Sequence, residues 1–143
     1  MSELTELANW VEPLLNQISP TARKKLAKEI GMELRRSQQK RIKLQQNPDG
    51  TKYAKRLPQK DSIKRKAMFI KLKRAKHLKI KATADKVSIG FFGRIARIAN
   101  VHQKGLRDRP HKKVRDVRYK KRELLGFTEQ DRELILSKIL DLN

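Results

Sequence analysis

Side chains suited to catalytic or metal-binding chemistry are sparse in this 143-residue sequence. It contains three histidines, His77, His102 and His111, and no cysteine, so disulfides and thiolate metal sites are not expected. No two histidines are one helical turn apart, and no carboxylate pair accompanies them at the spacing of metal ligands. His102, Asp108 and His111 could form a nuclease site, but such a site needs an acid-rich pocket for its cation. This region is strongly basic, and a hydrogen-bonding role for His102 at a helix end is the simpler interpretation.

Other catalytic motifs are also missing. The run GFFG at residues 90–93 lacks both the spacing and the lysine of a phosphate-binding loop. No serine has an evident base beside it. The sequence therefore predicts a protein that is not an enzyme and that has no cofactor and no metal site.

Net charge is the dominant feature of the composition. The chain holds 37 Lys and Arg residues against 15 Asp and Glu residues, a formal net charge of +22. Residues 1–19 contain three acids and no base, whereas residues 20–81 contain 22 bases against four acids. Residues 123–143 are again acidic. Such a distribution favours binding to polyanions or acidic protein surfaces, and it opposes self-association unless the charge is screened.

The basic stretches have two functional interpretations besides that of a solvated surface. They could bind a nucleic-acid backbone, with an affinity that falls steeply with salt. Aromatic residues for base stacking are few and are expected mostly in the core, which disfavours single-strand or sequence-specific recognition. We favour docking on acidic partner proteins. The docking candidates are Lys52, Arg56, Lys64, Arg65, Lys66, Arg94, Arg97, Lys112, Lys113 and Arg115.

The length predicts a single domain with a thin core. A chain of this size buries roughly two thirds of its unfolded surface, but only 37% of its residues are hydrophobic. We therefore expect partner subunits to cover some apolar surface. No apolar run is long enough to span a membrane, and the acidic N-terminus does not have the pattern of a secretory signal. Synthesis in the cytosol is expected.

Two helices are predicted in the first fifty residues, forming an N-terminal helical hairpin. Apolar residues recur at helical spacing from Leu4 to Ile18, and Pro13 is expected to kink this first helix. Ser19-Pro20 has the pattern of an N-cap followed by proline at the first helical position. The second helix is expected to continue to about Gln46, as one long helix rather than a helix-turn-helix motif. A type I turn at residues 47–50 follows.

Strands and helices alternate in the remainder. Residues 51–62 read as a basic linker, and residues 63–75 suit a short helix but leave room for a strand. Residues 77–82 and 86–91 alternate and predict a hairpin. Helical spacing resumes from Gly93 to Gln103, with Ile95, Ile98, Ala99 and His102 on one face, and Gly105 ends it. After a basic turn, Val114 to Tyr119 predicts a further strand.

The last element is a helix with a capping box at Thr128 and Asp131, and its apolar face includes Ile135, Ile139 and Leu142. Together these elements predict an α+β fold: an N-terminal helical hairpin, a small antiparallel β-sheet from about 77–92 and 114–120 with a packed helix, and a C-terminal helix. The predicted organisation is residues 1–50 for the helical hairpin, 51–62 for the linker and 63–143 for an α+β body, within one structural domain.

Several motifs resemble those of the phage virion morphogenesis family. The run IANVHQKG at residues 98–105 resembles the family's IA-x-x-HQ-x-G signature, and RELLGFTEQD at 122–131 is similar to its R-x-LLG-x-T/S-x-x-D ending. Two further pieces agree: RI at 41–42 followed by NPDGT at 47–51, and MF at 68–69 followed by Leu72. All stand in the family's order. The motif residues, for which a structural role is implied, are Arg41, Ile42, Pro48, Asp49, Gly50, His102, Gln103, Gly105, Leu124, Leu125, Gly126 and Asp131.

The resemblance implies a structural protein that completes the head-proximal end of a phage tail and prepares it to join the filled head. Tail-end proteins of this kind typically act as a ring, which implies a homo-oligomer in the tail neck of the virion, assembled in the bacterial cytoplasm. The implied partners are other tail or neck proteins, namely the tail tube, the tail terminator or the head connector. Contact with packaged DNA is compatible with this role, and no membrane is involved. The alternatives are a non-specific nucleic-acid-binding protein and a small regulatory or adaptor protein.

Overall fold

The computed structural model describes residues 16–55, 67–109 and 115–141, and it confirms the α+β class. Three helices and four short strands follow one another along these ranges. They are α1 (Pro20–Lys43), β1 (Leu78–Ala82), β2 (Val87–Phe91), α2 (Arg94–Lys104), β3 (Arg107–Asp108), β4 (Val117–Arg118) and α3 (Glu129–Leu140).

Helix α1 is one uninterrupted helix of 24 residues, as the sequence predicts. The Ser19 side chain accepts a hydrogen bond from the Ala22 N–H, and Pro20 opens the first turn. The helix ends at Lys43, a few residues earlier than expected, because Gln45 adopts a positive φ of 57° that cannot continue it. The first arm of the expected helical hairpin lies outside the described residues.

The predicted β1–β2 hairpin is confirmed, with Leu78 opposite Phe91 and Ile80 opposite Ile89. It packs directly on α1 at Gly31. A Cβ added to Gly31 would lie 2.6 Å from the Ile80 Cγ2 atom and 3.0 Å from the Val87 Cγ2 atom. The glycine therefore weakens the helix locally but lets the hairpin approach its backbone.

The strands form two sheets rather than the single sheet that was expected. The second sheet pairs β3 with β4, placing Arg107 opposite Arg118 and Asp108 opposite Val117. Residues 107–108 fall within the stretch from Leu106 to Lys113 that the sequence predicts as a basic turn. Gly105 adopts the left-handed conformation (φ 65°) at the end of α2, and the chain then reverses so that the Tyr119 N–H donates to the Leu106 carbonyl at 3.0 Å. This local reversal gives β4 a neighbouring partner and keeps it away from β1 and β2.

Residues 67–77 form neither helix nor strand, with turns from residue 70 onwards, so the expected helix or strand over 63–75 is wrong for its described part. Phe69 has a positive φ of 67°, which neither a helix nor a strand accommodates. The Gln45 side chain holds this segment instead, since its Nε2 donates to the Met68 carbonyl at 2.7 Å and its Oε1 accepts from the Met68 N–H at 2.7 Å.

Two clusters of buried apolar side chains include residues of α1. One comprises Leu26, Ile30 and Leu34 of α1 with Ile139 of α3. The other is centred on the fully buried Ile42 and Leu124, and its members are Ile42, Tyr53, Met68, Leu72, Ala99 and Leu124. The expected face of α2 is partly wrong, because Ile98 is 45% exposed while Val101 is buried. The chain turns back beside Val101, since the Leu106 N–H donates to the Val101 carbonyl at 2.9 Å.

Within the described ranges, no helix has both the length and the apolar character needed to cross a membrane.

Candidate functional site

The motif residues converge on one irregular stretch, residues 122–128, which we call the clamped loop. It joins β4 to α3 and has no regular secondary structure. Side chains from α1, the 47–50 turn and α2 bind its backbone directly. Such side-chain hydrogen bonds replace the backbone partners that a helix or sheet would supply.

Arg41 supplies the deepest of these contacts. Its side chain is buried, and its Nη1 donates to the Gln46 carbonyl at 3.0 Å and to the Glu123 carbonyl at 2.7 Å. Its Nη2 donates to the Leu124 carbonyl at 2.7 Å and to the Gln38 Oε1 atom at 2.5 Å. The planar guanidinium thus ties the end of α1 to the clamped loop in a geometry that a lysine could not reproduce.

Two glutamines hold the next part of the loop. Gln103, at the end of α2, accepts from the Leu124 and Leu125 N–H groups at 2.8 and 2.9 Å and donates to the Leu125 carbonyl at 2.7 Å. Gln38 donates to the Gly126 carbonyl at 2.9 Å and accepts from its N–H at 3.2 Å. The HQ and LLG motifs, about twenty residues apart in sequence, are therefore two halves of one contact.

His102 belongs to a group of aromatic side chains. Its ring makes edge-on contacts with Phe69 and Tyr119, with both centroid separations at 4.8 Å. Its backbone carbonyl accepts from the Arg122 N–H at 2.8 Å. The Arg122 side chain is buried and donates to the carbonyls of Ala54 and Lys55. His111 lies outside the described residues, and within the described ranges no three His, Asp or Glu side chains are grouped closely enough to hold a metal ion.

The 47–50 turn forms as predicted and supports the loop from the other side. The Gly50 N–H donates to the Asn47 carbonyl at 2.9 Å, and the Asn47 Oδ1 atom accepts from the Glu123 N–H at 2.8 Å. Hydrogen bonds from the Thr51 hydroxyl and N–H hold the pKa of Asp49 below its usual value. The turn is thereby fixed in shape where it meets the loop.

Tyr53 also contacts the clamped loop. Its hydroxyl donates to the Glu123 carbonyl at 2.8 Å, and its ring packs edge-on against Phe69. Burial raises the pKa of the Tyr53 phenol, so the group stays protonated as a donor.

The predicted capping box of α3 is confirmed and is itself tied to α1. The Thr128 side chain accepts from the Asp131 N–H at 3.1 Å, and the Asp131 carboxylate accepts from the Thr128 N–H at 3.0 Å. The Ser37 hydroxyl of α1 donates to the other carboxylate oxygen of the buried Asp131. The clamped loop is therefore held at its start, middle and end.

Gly126 is the point of closest approach between the loop and the turn. A Cβ there would lie 2.3 Å from the Pro48 Cγ atom and 3.0 Å from the Pro48 Cβ atom. We expect Gly126→Ala to lower the free energy of unfolding by about 1–3 kcal/mol through overpacking against a rigid ring. Urea denaturation measures this, with Gly90→Ala as the control, because a Cβ at Gly90 meets nothing within 4 Å. Equal midpoints for the two variants would contradict the tight contact.

Four of the ten docking candidates lie within the described residues. Lys52, Arg94, Arg97 and Arg115 are exposed. The pKa of Asp108 is lowered by a hydrogen bond from the Arg109 N–H and by the Arg97 guanidinium, which donates to its carboxylate at 2.8 Å. The other candidates lie outside the described residues: Arg56, Lys64, Arg65, Lys66, Lys112 and Lys113.

Three polar residues that hold the loop or its neighbours were not among the predicted site residues: Gln38 and Arg122, which are buried, and Asn47, which is half-buried. A signal for Gln38 was available, since it continues the apolar stripe of Leu26, Ile30 and Leu34 by one more step of four residues. A polar side chain in that phase indicates a buried partner. An exposed basic face of α1 was also not predicted; it carries Lys24, Lys25, Lys28, Lys40 and Lys43.

Comparison with known proteins identifies the family. The model of the phage virion morphogenesis family matches residues 2–142. The chain belongs to this family. It is also 37% identical over 147 residues to tail completion protein S of Escherichia phage P2, an alignment that covers 98% of this chain and 97% of that protein. No solved structure matches the chain. The resemblance to the family is thus confirmed. In this chain the HQ and LLG motifs meet at the clamped loop, where the Gln103 side chain holds the backbone of Leu124 and Leu125.

Proposed function

We propose that this chain completes the head-proximal end of a phage tail, so that the tail can join the filled head. It acts as a structural part of the particle and not as an enzyme. The observation that carries the proposal is the match over nearly the whole length of both chains to a protein named tail completion protein S, together with the family match over residues 2–142.

The clamped loop suits such a role because a segment that binds a partner protein loses less entropy on binding when its backbone is already held in place. Its backbone is held by Arg41, Gln38 and Gln103, so docking would cost little ordering of this part of the chain. The chain also has exposed apolar side chains, which would support contacts between copies in a ring. Those more than 40% exposed include Met32, Leu44, Ile98, Phe127 and Leu140.

The proposed partners are acidic surfaces of the tail tube, the tail terminator or the head connector, with the chain as a homo-oligomeric ring in the neck of the virion. A net charge of +22 opposes self-association of free subunits. Docking on an acidic tail end would remove that repulsion, so the ring would close only on its target. Lys52, Arg94 and Arg115 are the described docking candidates that have no carboxylate partner among the described residues.

Deleting the gene from a phage that carries it tests this function. We expect filled heads and tails that stay apart in electron micrographs, together with a loss of infectious particles. Supplying the wild-type chain from a plasmid is the control and should restore both. Joined, infectious particles in the deletion strain would refute the proposal.

Non-specific nucleic-acid binding is the second candidate function, favoured by the exposed basic face of α1. Lys24, Lys28 and Lys40 on that face have no carboxylate partner among the described residues. This function requires tight binding of duplex DNA whose logarithmic affinity falls with log salt by about 0.9 per phosphate contacted. Replacing Lys24, Lys28 and Lys40 should then weaken binding, as should replacing Lys52, Arg56, Lys64, Arg65 and Lys66. Negligible binding by the wild-type chain at near-physiological salt would eliminate this candidate.

A further inference from the structure

The β3–β4 hairpin carries like charges side by side on its outer surface. Arg107 of β3 is directly opposite Arg118 of β4, and both are exposed. The Tyr119 ring packs against His102 of α2, so the exposed Lys120 lies on the same side as Arg118, because side chains alternate along an extended chain. We call Arg107, Arg118 and Lys120 the cationic face. None of the three has a carboxylate partner among the described residues.

The hairpin has no acid left to neutralise this face. Asp108 accepts from the Arg97 guanidinium of α2 at 2.8 Å, and Asp116 pairs with Arg109 at 3.1 Å. Residues 110–114 contain no Asp or Glu. Like charges directly opposite each other destabilise a strand pair, so carboxylates supplied from elsewhere would stabilise the hairpin.

Helix α3 exposes a stripe of the opposite charge. Glu133, Ser137 and the C-cap Asp141 follow one another at steps of four residues, so they lie on one side of the helix, and all three are exposed. We call them the acidic stripe. A different side of α3, with Ile135 and Ile139, packs against α1. Glu133 and Asp141 have no cationic partner among the described residues.

We propose that the cationic face of one copy of this chain docks on the acidic stripe of a second copy. The inference rests on the homo-oligomeric ring of the proposed function and names the contact between its subunits. Because the two surfaces differ, the contact is head-to-tail, and each copy offers one surface to each of its neighbours. A repeated head-to-tail contact closes into a ring when the rotation between copies allows it.

The spacing of the charges suits this contact. Glu133 and Asp141 are about 12 Å apart along the helix, at a rise of about 1.5 Å per residue. Arg118 and Lys120 are about 7 Å apart along the extended chain, and Arg107 lies beside Arg118 on the neighbouring strand. The long side chains of the arginines and the lysine cover the difference of about 5 Å. Both carboxylates can therefore be paired at the same time.

The net charge of +22 is compatible with such a contact. Repulsion between whole subunits acts mostly between charges far apart, and salt screens it beyond about 8 Å at physiological ionic strength. Ion pairs that become partly buried in a contact are screened much less. Since exposed ion pairs are individually weak, we expect free copies to associate weakly and the tail end to bring them together.

Charge reversal in the deletion phage tests the contact. We expect Arg107→Glu combined with Arg118→Glu to abolish complementation, and Glu133→Lys combined with Asp141→Lys to do the same. All four substitutions in one chain should restore complementation, because the two surfaces then exchange their charges and remain complementary. Circular dichroism checks that each variant folds.

Lys24→Glu combined with Lys28→Glu on α1 is the matched control. It changes the net charge as much as the reversal of the two arginines does, but on a different element, and it should complement. Full complementation by either reversed pair alone would overturn the inference. So would a four-fold variant that stays inactive, since the cationic face would then bind a nucleic acid or another acidic protein.

Cysteine crosslinking of the purified chain is a second test that does not depend on tail completion. The protein has no cysteine, so a chain with Lys120→Cys and Ser137→Cys carries one thiol on each surface. At about 0.15 M salt, where long-range repulsion is screened, a short bismaleimide should link it into a ladder of dimers and larger species. Lys28→Cys combined with Ser137→Cys is the control and should stay mainly monomeric.

The crosslinking result separates this inference from the proposed function. Equal crosslinking of the two cysteine variants, or products that stop at the dimer, would refute the head-to-tail contact even if the chain completes tails. A ladder from the Lys120→Cys and Ser137→Cys chain supports the contact even if phage particles lacking the gene still join their heads and tails.

Discussion

Arg41→Ala is expected to lower the free energy of unfolding by about 3–5 kcal/mol. The substitution leaves the Gln46 and Leu124 carbonyls without their Arg41 donor and removes one of the two donors to the Glu123 carbonyl, which keeps the Tyr53 hydroxyl. A buried acceptor without a partner costs about 1–3 kcal/mol. The loop between β4 and α3 would lose its deepest attachment to α1. Urea denaturation followed by circular dichroism measures the change.

Arg36→Ala is the matched control on the same helix. The Arg36 side chain is 65% exposed and, among the described residues, pairs only with Glu33 one turn away. Its removal should therefore change stability by less than about 1 kcal/mol. Arg41→Lys should recover only part of the loss, because an ammonium group cannot reach the same set of carbonyls. An Arg41→Ala variant as stable as Arg36→Ala would contradict the clamp.

Leu124→Ala is expected to cost about 2–5 kcal/mol for a different reason. The Leu124 side chain is fully buried among Ile42, Tyr53 and Met68, and its truncation leaves a cavity at the centre of that cluster. Its backbone hydrogen bonds to Gln103 and Arg41 do not involve the side chain. The variant therefore measures packing separately from the polar clamp.

The control for this cavity is Leu44→Ala. Leu44 is 52% exposed just after α1, so the same chemical change should cost less than about 1 kcal/mol. Thermal unfolding of both variants and the wild type provides the comparison. Similar losses for the two would show that Leu124 does not anchor the loop in the core.

The hydrogen bonds of Arg41 to the clamped loop can also be tested for a role in assembly. If the clamped loop must be rigid to complete a tail, Arg41→Lys should reduce complementation of the deletion phage more than its stability loss alone predicts. Arg36→Ala should complement fully. The comparison separates a loop that must be fixed in place from a chain that only needs to fold.

Much of the fold could be predicted because its signals are local. Ser19 and Pro20 mark the start of α1, the alternation of residues 77–91 marks the hairpin, and Thr128 with Asp131 marks the start of α3. Each of these depends on side chains and backbone groups a few residues apart. Such short-range geometry is nearly the same in any surrounding fold.

The sequence was enough to identify the family from its motifs, but not to show what the motif residues contact. The resemblance of the HQ and LLG runs indicated the family, yet nothing in their spacing shows that Gln103 binds the backbone of Leu124 and Leu125. Gln38 and Gly126 are 88 residues apart. Contacts between residues so far apart depend on how whole elements pack, so they are not visible in any short window of sequence.

By itself, the sequence determined the charge, the absence of cysteine, the three described helices, the hairpin and the family. Tertiary structure alone decided that β3 and β4 form their own sheet, that Phe69 takes a positive φ and that Ile98 stays exposed. It also decided that the motif residues meet at one loop. The physical reason is the same throughout: caps, turns and periodicity follow from neighbouring residues, whereas buried polar groups take whichever distant partner the packed elements bring within hydrogen-bonding distance.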